Sequence, residues 1–256
     1  MSVIPRSSLD TERPRPLHNV TQPKPVTIDM AAAALPAIRL TYFPIQGAAE
    51  KVRLAFVLGG ITFEDVRIPF QDWGALKPTT PYGQLPLLSI DNGEPMAQSG
   101  AMLRYAGTLA NAQGVPLYPL DKMLAVEEAI GFVDDLKRDW RPPVGIALDC
   151  TTYGYPADFK GSPEHNAVIK SMREQFVNGI LPRYMGFLEK RLATSGGFLV
   201  GVEPTIADCA LLPVLNRLTS GGVDHVAVNC LEPYPVVTAY VDRFMQLPAV
   251  KTWYAK

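Results

Sequence analysis

The sequence predicts a small α/β domain followed by an all-helical bundle. Three observations lead there. A strand–helix–strand unit occupies residues 38–68, a turn-linked pair of strands and a helix occupy residues 84–110, and after residue 120 only amphipathic helical segments remain. At 256 residues, with 47% hydrophobic and 19% charged side chains, the chain can bury a sizeable core in one large domain or two medium ones.

Ordered structure is expected from Ile38. Ile38–Phe43 (IRLTYF) is β-branched and aromatic, as a strand requires. A helix should cover Ala48–Leu58, where Val52, Ala55 and Phe56 are spaced for one face and Gly59-Gly60 closes the end. Thr62–Ile68 reads as a second strand, parallel to the first because a helix crosses between them. Gln71–Lys77 is a short helical turn. Pro81-Tyr82-Gly83 turns into a strand over Gln84–Ile90, and Asp91-Asn92-Gly93 is a hairpin signal before a fourth strand around Pro95–Ala97. Ser99 opens a helix to about Ala110. This order, β-α-β-α-β-β-α, is that of a thioredoxin-like domain. Helical segments follow at Leu120–Ala147, Glu164–Leu192, Thr205–Leu218 and Val236–Gln246, with Gly- and Pro-rich loops between them. The expected organisation is a flexible Pro-rich tail at 1–36, an α/β domain at 37–110, a linker at 111–119 and a helical domain at 120–256.

Composition excludes several function classes. A net charge of −1 gives no field to recruit nucleic acid or an acidic membrane, and no apolar run is long enough to span a bilayer. Cys150, Cys209 and Cys230 form no CxxC pair, and with His18, His165 and His225 they make no zinc spacing, so neither a zinc site nor a disulfide framework is expected. That usage fits a reducing, cytoplasmic compartment. Asp10, Glu12 and Asp29 count against a transit peptide in the tail.

Tyr42 ends the first strand just before a loop and a helix N-terminus, where open α/β sheets place ligands. Taken alone, a strand tyrosine is more often a core residue. Four blocks in order alter that reading: LTYFPIQGAAEKVRLAF (Leu40–Phe56), FEDVRI (Phe63–Ile68), DWGALKPTTPYGQLPLL (Asp72–Leu88) and QSGAMLRYAG (Gln98–Gly107). They resemble the cytosolic glutathione S-transferases, closest to the sigma, tyrosine-type class, from about Ile38 to the C-terminus.

The resemblance implies that Tyr42 is the catalytic tyrosine. It assigns Trp73, Lys77, Gly83 and Gln84 to glutathione, with Leu85-Pro86 as a cis-proline turn that pairs with the cysteinyl backbone. Gln98-Ser99 is assigned to the γ-glutamyl carboxylate, although Ser99 could equally be an ordinary helix N-cap. Asp135 aligns with an acid that reaches a neighbouring subunit's glutathione in a homodimer, although an exposed helix acid is the plain alternative. A second-substrate pocket is expected between Tyr42, the Pro44–Gln46 loop with Ile45, and the helix near Lys137–Arg141, with Trp140 as a wall. Thr205–Asp208 matches the family's N-capping box, a folding element. One departure stands out: Ala48 replaces the arginine usual in the sigma-type loop.

The activity implied is conjugation of glutathione, as co-substrate, to small hydrophobic electrophiles, with no resident cofactor or metal. A glutathione-dependent isomerase or peroxidase shares the same bound thiolate. A non-catalytic binding or structural protein shares the fold. Thiol–disulfide exchange would need a cysteine within Pro44–Glu50, and none is there.

Overall fold

The computed structural model describes residues 35–255. The tail expected at 1–36 therefore lies outside the described residues except for its last two. The first half carries β1 (Ile38–Tyr42), α1 (Glu50–Leu58), β2 (Glu64–Arg67), α2 (Trp73–Leu76), β3 (Leu87–Ile90) and α3 (Ser99–Ala112). The second half is helical: α4 (Met123–Leu148), α5 (Pro163–Gln175), α6 (Leu181–Ser195), α7 (Ile206–Thr219), α8 (Pro235–Met245) and α9 (Pro248–Tyr254).

β1 is the central strand in the order β2-β1-β3, parallel to β2 with Leu40 opposite Asp65 and antiparallel to β3 with Leu40 opposite Leu88. Its alternation places Ile38, Leu40 and Tyr42 in the core and leaves Arg39 exposed. The expected fourth strand is reduced to one bridge, Leu88 to Met96. Met96 exchanges both backbone bonds with Leu88 (2.9 and 2.8 Å), but Pro95 has no N–H with which to extend the ladder. Asp91 and Asn92 both take positive φ (49° and 58°), the turn that the Asp-Asn-Gly signal predicts. β3 is shorter than Gln84–Ile90 because Pro86 likewise cannot donate.

α1 lies between the sheet side and the helical half, packed against α3, α7 and α9. Val52, Leu54, Ala55 and Phe56 are fully buried there. The stretch expected as one helix at Glu164–Leu192 is α5 and α6, joined without a loop by a π-helical turn at Phe176–Ile180. α9 was not anticipated: seven residues, opening on Pro248, are too few for periodicity to register.

α7 shows how the second half is fixed. Thr205 Oγ1 accepts from Ala207 N–H, while the Asp208 carboxylate accepts from Thr205 N–H (2.7 Å) and Leu199 N–H (2.8 Å). The expected capping box is thus present, and it also ties down the preceding loop. Ile206 N–H donates to Leu117 O (2.8 Å), linking α7 to the segment that joins the two halves. Among the described residues no helix is long and apolar enough to cross a membrane.

Candidate active site

Tyr42 is 9% exposed, and its hydroxyl accepts a hydrogen bond from Ala48 N–H (3.1 Å). A phenol oxygen that accepts one bond keeps its own hydrogen to donate. The fit depends on Gly47. Its φ is +44°, and a Cβ there would lie 2.5 Å from the Tyr42 hydroxyl oxygen. The turn from β1 into α1 therefore closes around the phenol with no room for a side chain.

Arg53, fully buried, holds this turn from below. Its Nη1 donates to Ile45 O (2.8 Å) and to Glu50 Oε2 (3.2 Å), and its Nε donates to Asp65 on β2 (2.9 Å). The guanidinium also lies 5.8 Å from the Tyr42 ring centroid, within cation–π range. One side chain thus links the loop, α1, β2 and the candidate catalytic ring. Sequence reasoning missed Arg53 and Gly47. The Glu-x-x-Arg spacing of residues 50 and 53 is the available signal, but spacing alone does not separate a buried pair from a solvated one.

Of the remaining predicted glutathione residues, Trp73 is joined to Tyr42 through Phe43 and Lys77 lies beside Gly83. Trp73 opens α2 half-buried and meets Phe43 edge-on at 5.9 Å, and Phe43 touches Tyr42 at 5.4 Å. Lys77 is exposed, and its side chain runs past Gly83, where an added Cβ would be 3.5 Å from Lys77 Cε. Leu85-Pro86 is cis, with Gln84 exposed just before it. At the start of α3 the N-cap is Gln98 in a left-handed conformation (φ 81°), not Ser99, and no side chain caps the helix. The ordinary-cap reading of Ser99 is therefore corrected. Ser99 is the first helical residue, and the N-terminal N–H groups of α3 carry no side-chain cap.

Two further predicted residues lie on α4. Asp135 is exposed on α4 and pairs with Arg138 one turn along (2.7 Å); no hydrogen bond joins it to the Tyr42 group among the described residues. Trp140 is 7% exposed with its ring against Phe176 at 4.6 Å, which leaves it little surface for a ligand. Ile45, by contrast, is 45% exposed on the Tyr42 loop. Among the described residues no cluster of three or more His, Cys, Asp or Glu forms a metal site. Burial in α7 pushes the Cys209 thiol well above its ordinary value, which disfavours the thiolate.

Two family models match the chain: "Glutathione S-transferase, N-terminal domain" over residues 48–109 and "Glutathione S-transferase, C-terminal domain" over residues 157–256. Glutathione S-transferase 1 of Ascaris suum is 33% identical over 224 residues, covering 87% of this chain and 97% of the relative. Glutathione S-transferase 3 of Caenorhabditis elegans is 30% identical, covering 85% and 95%. Among solved structures, prostaglandin synthase D of Nilaparvata lugens superposes with a TM-score of 0.70 at 26% identity, covering 86% and 98%. The glutathione S-transferase of Ascaris lumbricoides does so with a TM-score of 0.66 at 31% identity, covering 86% and 97%.

Proposed function

The chain belongs to the glutathione S-transferase family, and from that premise we propose that it conjugates reduced glutathione to small hydrophobic electrophiles with Tyr42 as the catalytic residue. The observation that carries this reading is the Tyr42 hydroxyl, held by Ala48 N–H with its own hydrogen left to donate. A free thiol with pKa about 8.5 is only a few per cent thiolate near neutrality. A hydrogen bond to the charged sulfur favours ionisation, and two pH units of lowering correspond to about 2.7 kcal/mol. The N-terminal end of α1 adds a smaller favourable field. With Ala48 where the sigma-type loop usually has arginine, Tyr42 and backbone N–H groups carry this work alone.

In this reading Leu85 pairs with the cysteinyl backbone of glutathione as a short added strand. Gln98, Ser99 and the start of α3 take the γ-glutamyl carboxylate. Trp73, Lys77, Gly83 and Gln84 take the glycine end, with Lys77 neutralising its carboxylate. Asp135 reaches across a homodimer interface to the neighbour's glutathione ammonium. The electrophile lies between Tyr42, Ile45 and α4.

Absorbance in the thiolate band, followed against pH as glutathione is added to wild type and Tyr42→Phe, tests the central step. Wild type is expected to ionise glutathione near neutrality, and the variant to lose both the band and about a hundredfold in kcat/KM. Glutathione bound as a thiol in both proteins would make Tyr42 structural and favour the binding-protein reading. The likeness to a prostaglandin synthase D motivates a second reading, a glutathione-dependent isomerase. Product analysis separates the two, because an isomerase returns glutathione unconsumed.

A further inference from the structure

A cleft of about 460 Å³ lies beside β2, and none of the residues assigned to glutathione or the electrophile lines it. Its size is that of a small-molecule site. Val57 and Ile61, from α1 and the segment after it, give the cleft an aliphatic lining. Phe63 and Trp253 give it two aromatic rings, with centroids 6.0 Å apart. Trp253 is anchored, because its Nε1–H donates to Glu50 Oε1 (2.9 Å). Asp65 and Arg67 supply the charge; two apart on β2, they share one face of the strand. The Arg67 guanidinium carbon lies 6.0 Å from the Trp253 ring centroid, within cation–π range.

The ion pairing in this cleft is incomplete on one side. Asp65 divides its carboxylate between two guanidinium groups: Oδ1 accepts from Arg53 Nε (2.9 Å), and Oδ2 accepts from Arg67 Nε (2.8 Å). Neither arginine therefore has the two-pronged partner that its planar fork favours. Arg53 is compensated by Ile45 O and Glu50 Oε2, both on its Nη1. Arg67 is not: among the described residues Asp65 is its only hydrogen-bond partner, and its Nη1 and Nη2 have no acceptor. An exposed guanidinium edge is usually left to water. This one lines the same cleft as two rings and two aliphatic side chains, with its Nε already held by Asp65. A cationic ligand would find no spare acceptor, since both Asp65 oxygens are taken. A flat apolar body with a carboxylate at one end matches both halves of the lining.

We propose that this cleft is a second ligand site, which binds a planar aromatic carboxylate with its ring against Phe63 and Trp253 and its carboxylate on the Nη1 and Nη2 of Arg67. The site does not depend on the transferase reading, because no residue assigned to glutathione or the electrophile takes part in it.

2-Naphthoate and 2-naphthamide, matched in shape and different in charge, provide the test by calorimetric titration of the full chain. Saturating S-hexylglutathione in every titration keeps both probes out of the Tyr42 cleft. 2-Naphthoate is expected to bind about tenfold tighter than the amide. Arg67→Gln should bring the two affinities together, and Arg67→Lys, which keeps the charge without the fork, should retain only part of the preference. Thr62 is exposed and lines the cleft, so Thr62→Trp should fill it and weaken both probes by about tenfold. The Arg67 side chain is 44% exposed, so its variants decide the matter even where Thr62→Trp fails to fold. Equal affinities in wild type, or a preference that survives Arg67→Gln, would overturn the proposal. So would naphthoate binding observed only without S-hexylglutathione, because the probe would then belong to the Tyr42 cleft.

Discussion

A methyl group at position 47 would lie 2.5 Å from the Tyr42 hydroxyl oxygen, on a residue whose φ of +44° already disfavours any side chain. Gly47→Ala must therefore push the phenol away from Ala48 N–H or open the turn. The expected result is a fall of about 10–100-fold in kcat/KM with a loss of about 1–3 kcal/mol in stability, read by steady-state kinetics and urea unfolding. Unchanged kinetics would mean that the phenol's position is not what the reaction needs. Lys51 makes a residue-scale prediction of opposite sign. Burial, followed by the Lys137 charge, lowers its ammonium from 10.5 to about 8, so below about pH 8 both folded and unfolded chains hold the proton and the fold bears the full cost. Between the two values the unfolded chain binds more protons and stability rises with pH. Lys51→Met should thus be more stable than wild type by about 1–3 kcal/mol near neutrality, with the gap closing as pH approaches 10.5. A gap that does not change with pH would sink this account. In the sequence Tyr42 is singled out by the four blocks that resemble the family rather than by its strand end alone, and the structure places it at the end of β1 with its hydroxyl on Ala48 N–H. Arg53 and Lys51 were not legible, because burial and partners on other elements give a charge its meaning: Asp65 of β2 and the Ile45 loop for Arg53, and α4 for Lys51.

Elements followed the sequence where local chemistry is self-contained and departed from it where it is not. The Asp-Asn-Gly turn, the parallel β1–β2 pair and the Thr205–Asp208 capping box all depend on a few adjacent side chains or on one short crossover, and all are present. The fourth strand failed because Pro95 removes a donor that an apolar pattern does not count, and Ser99 lost its cap role because Gln98 takes a left-handed conformation. The π-helical turn at Phe176–Ile180 left no trace in the periodicity; Phe176 there packs against Trp140 of α4, a tertiary contact. The capping box also carries a prediction. Asp208 is fully buried and accepts from Leu199 N–H, Thr205 N–H and Thr205 Oγ1 (2.8, 2.7 and 3.0 Å). Asp208→Ala leaves three buried donors unpaired and is expected to cost about 3 kcal/mol or more, or to abolish folding on expression. Asp208→Asn keeps an acceptor and should recover part of that loss in the same unfolding assay. Equal stability of Asp208→Ala and wild type would show that the loop before α7 satisfies its own donors.

The last helix reaches the Tyr42 turn through a chain of contacts that joins the two ends of the described residues. Val250 of α9 is fully buried, and the Trp253 ring lies 6.0 Å from Phe63, ahead of β2. Trp253 Nε1–H donates to Glu50 Oε1 at the start of α1 (2.9 Å). Tyr254 beside it has its phenol pushed up, first by burial and then by the Glu50 charge. Glu50 in turn pairs with Arg53, and Arg53 donates to Ile45 O on the Tyr42 loop. A buried ion pair of this kind is stable only while its outer hydrogen bonds are kept, because removing one partner leaves charge unmatched in a dry site. Shortening the chain to Leu247 exposes Glu50 to water from that side and takes away one of its donors. The expected outcome is a drop in thermal midpoint of several degrees together with a weaker thiolate band at saturating glutathione. Trp253→Phe separates packing from hydrogen bonding, since it keeps an aromatic ring and removes the N–H. It should cost about 1–3 kcal/mol and should raise the pH at which bound glutathione ionises. If both variants lose stability while ionisation stays at the wild-type pH, α9 supports the fold alone. If ionisation moves with stability in both, the final helix helps set the geometry at Tyr42.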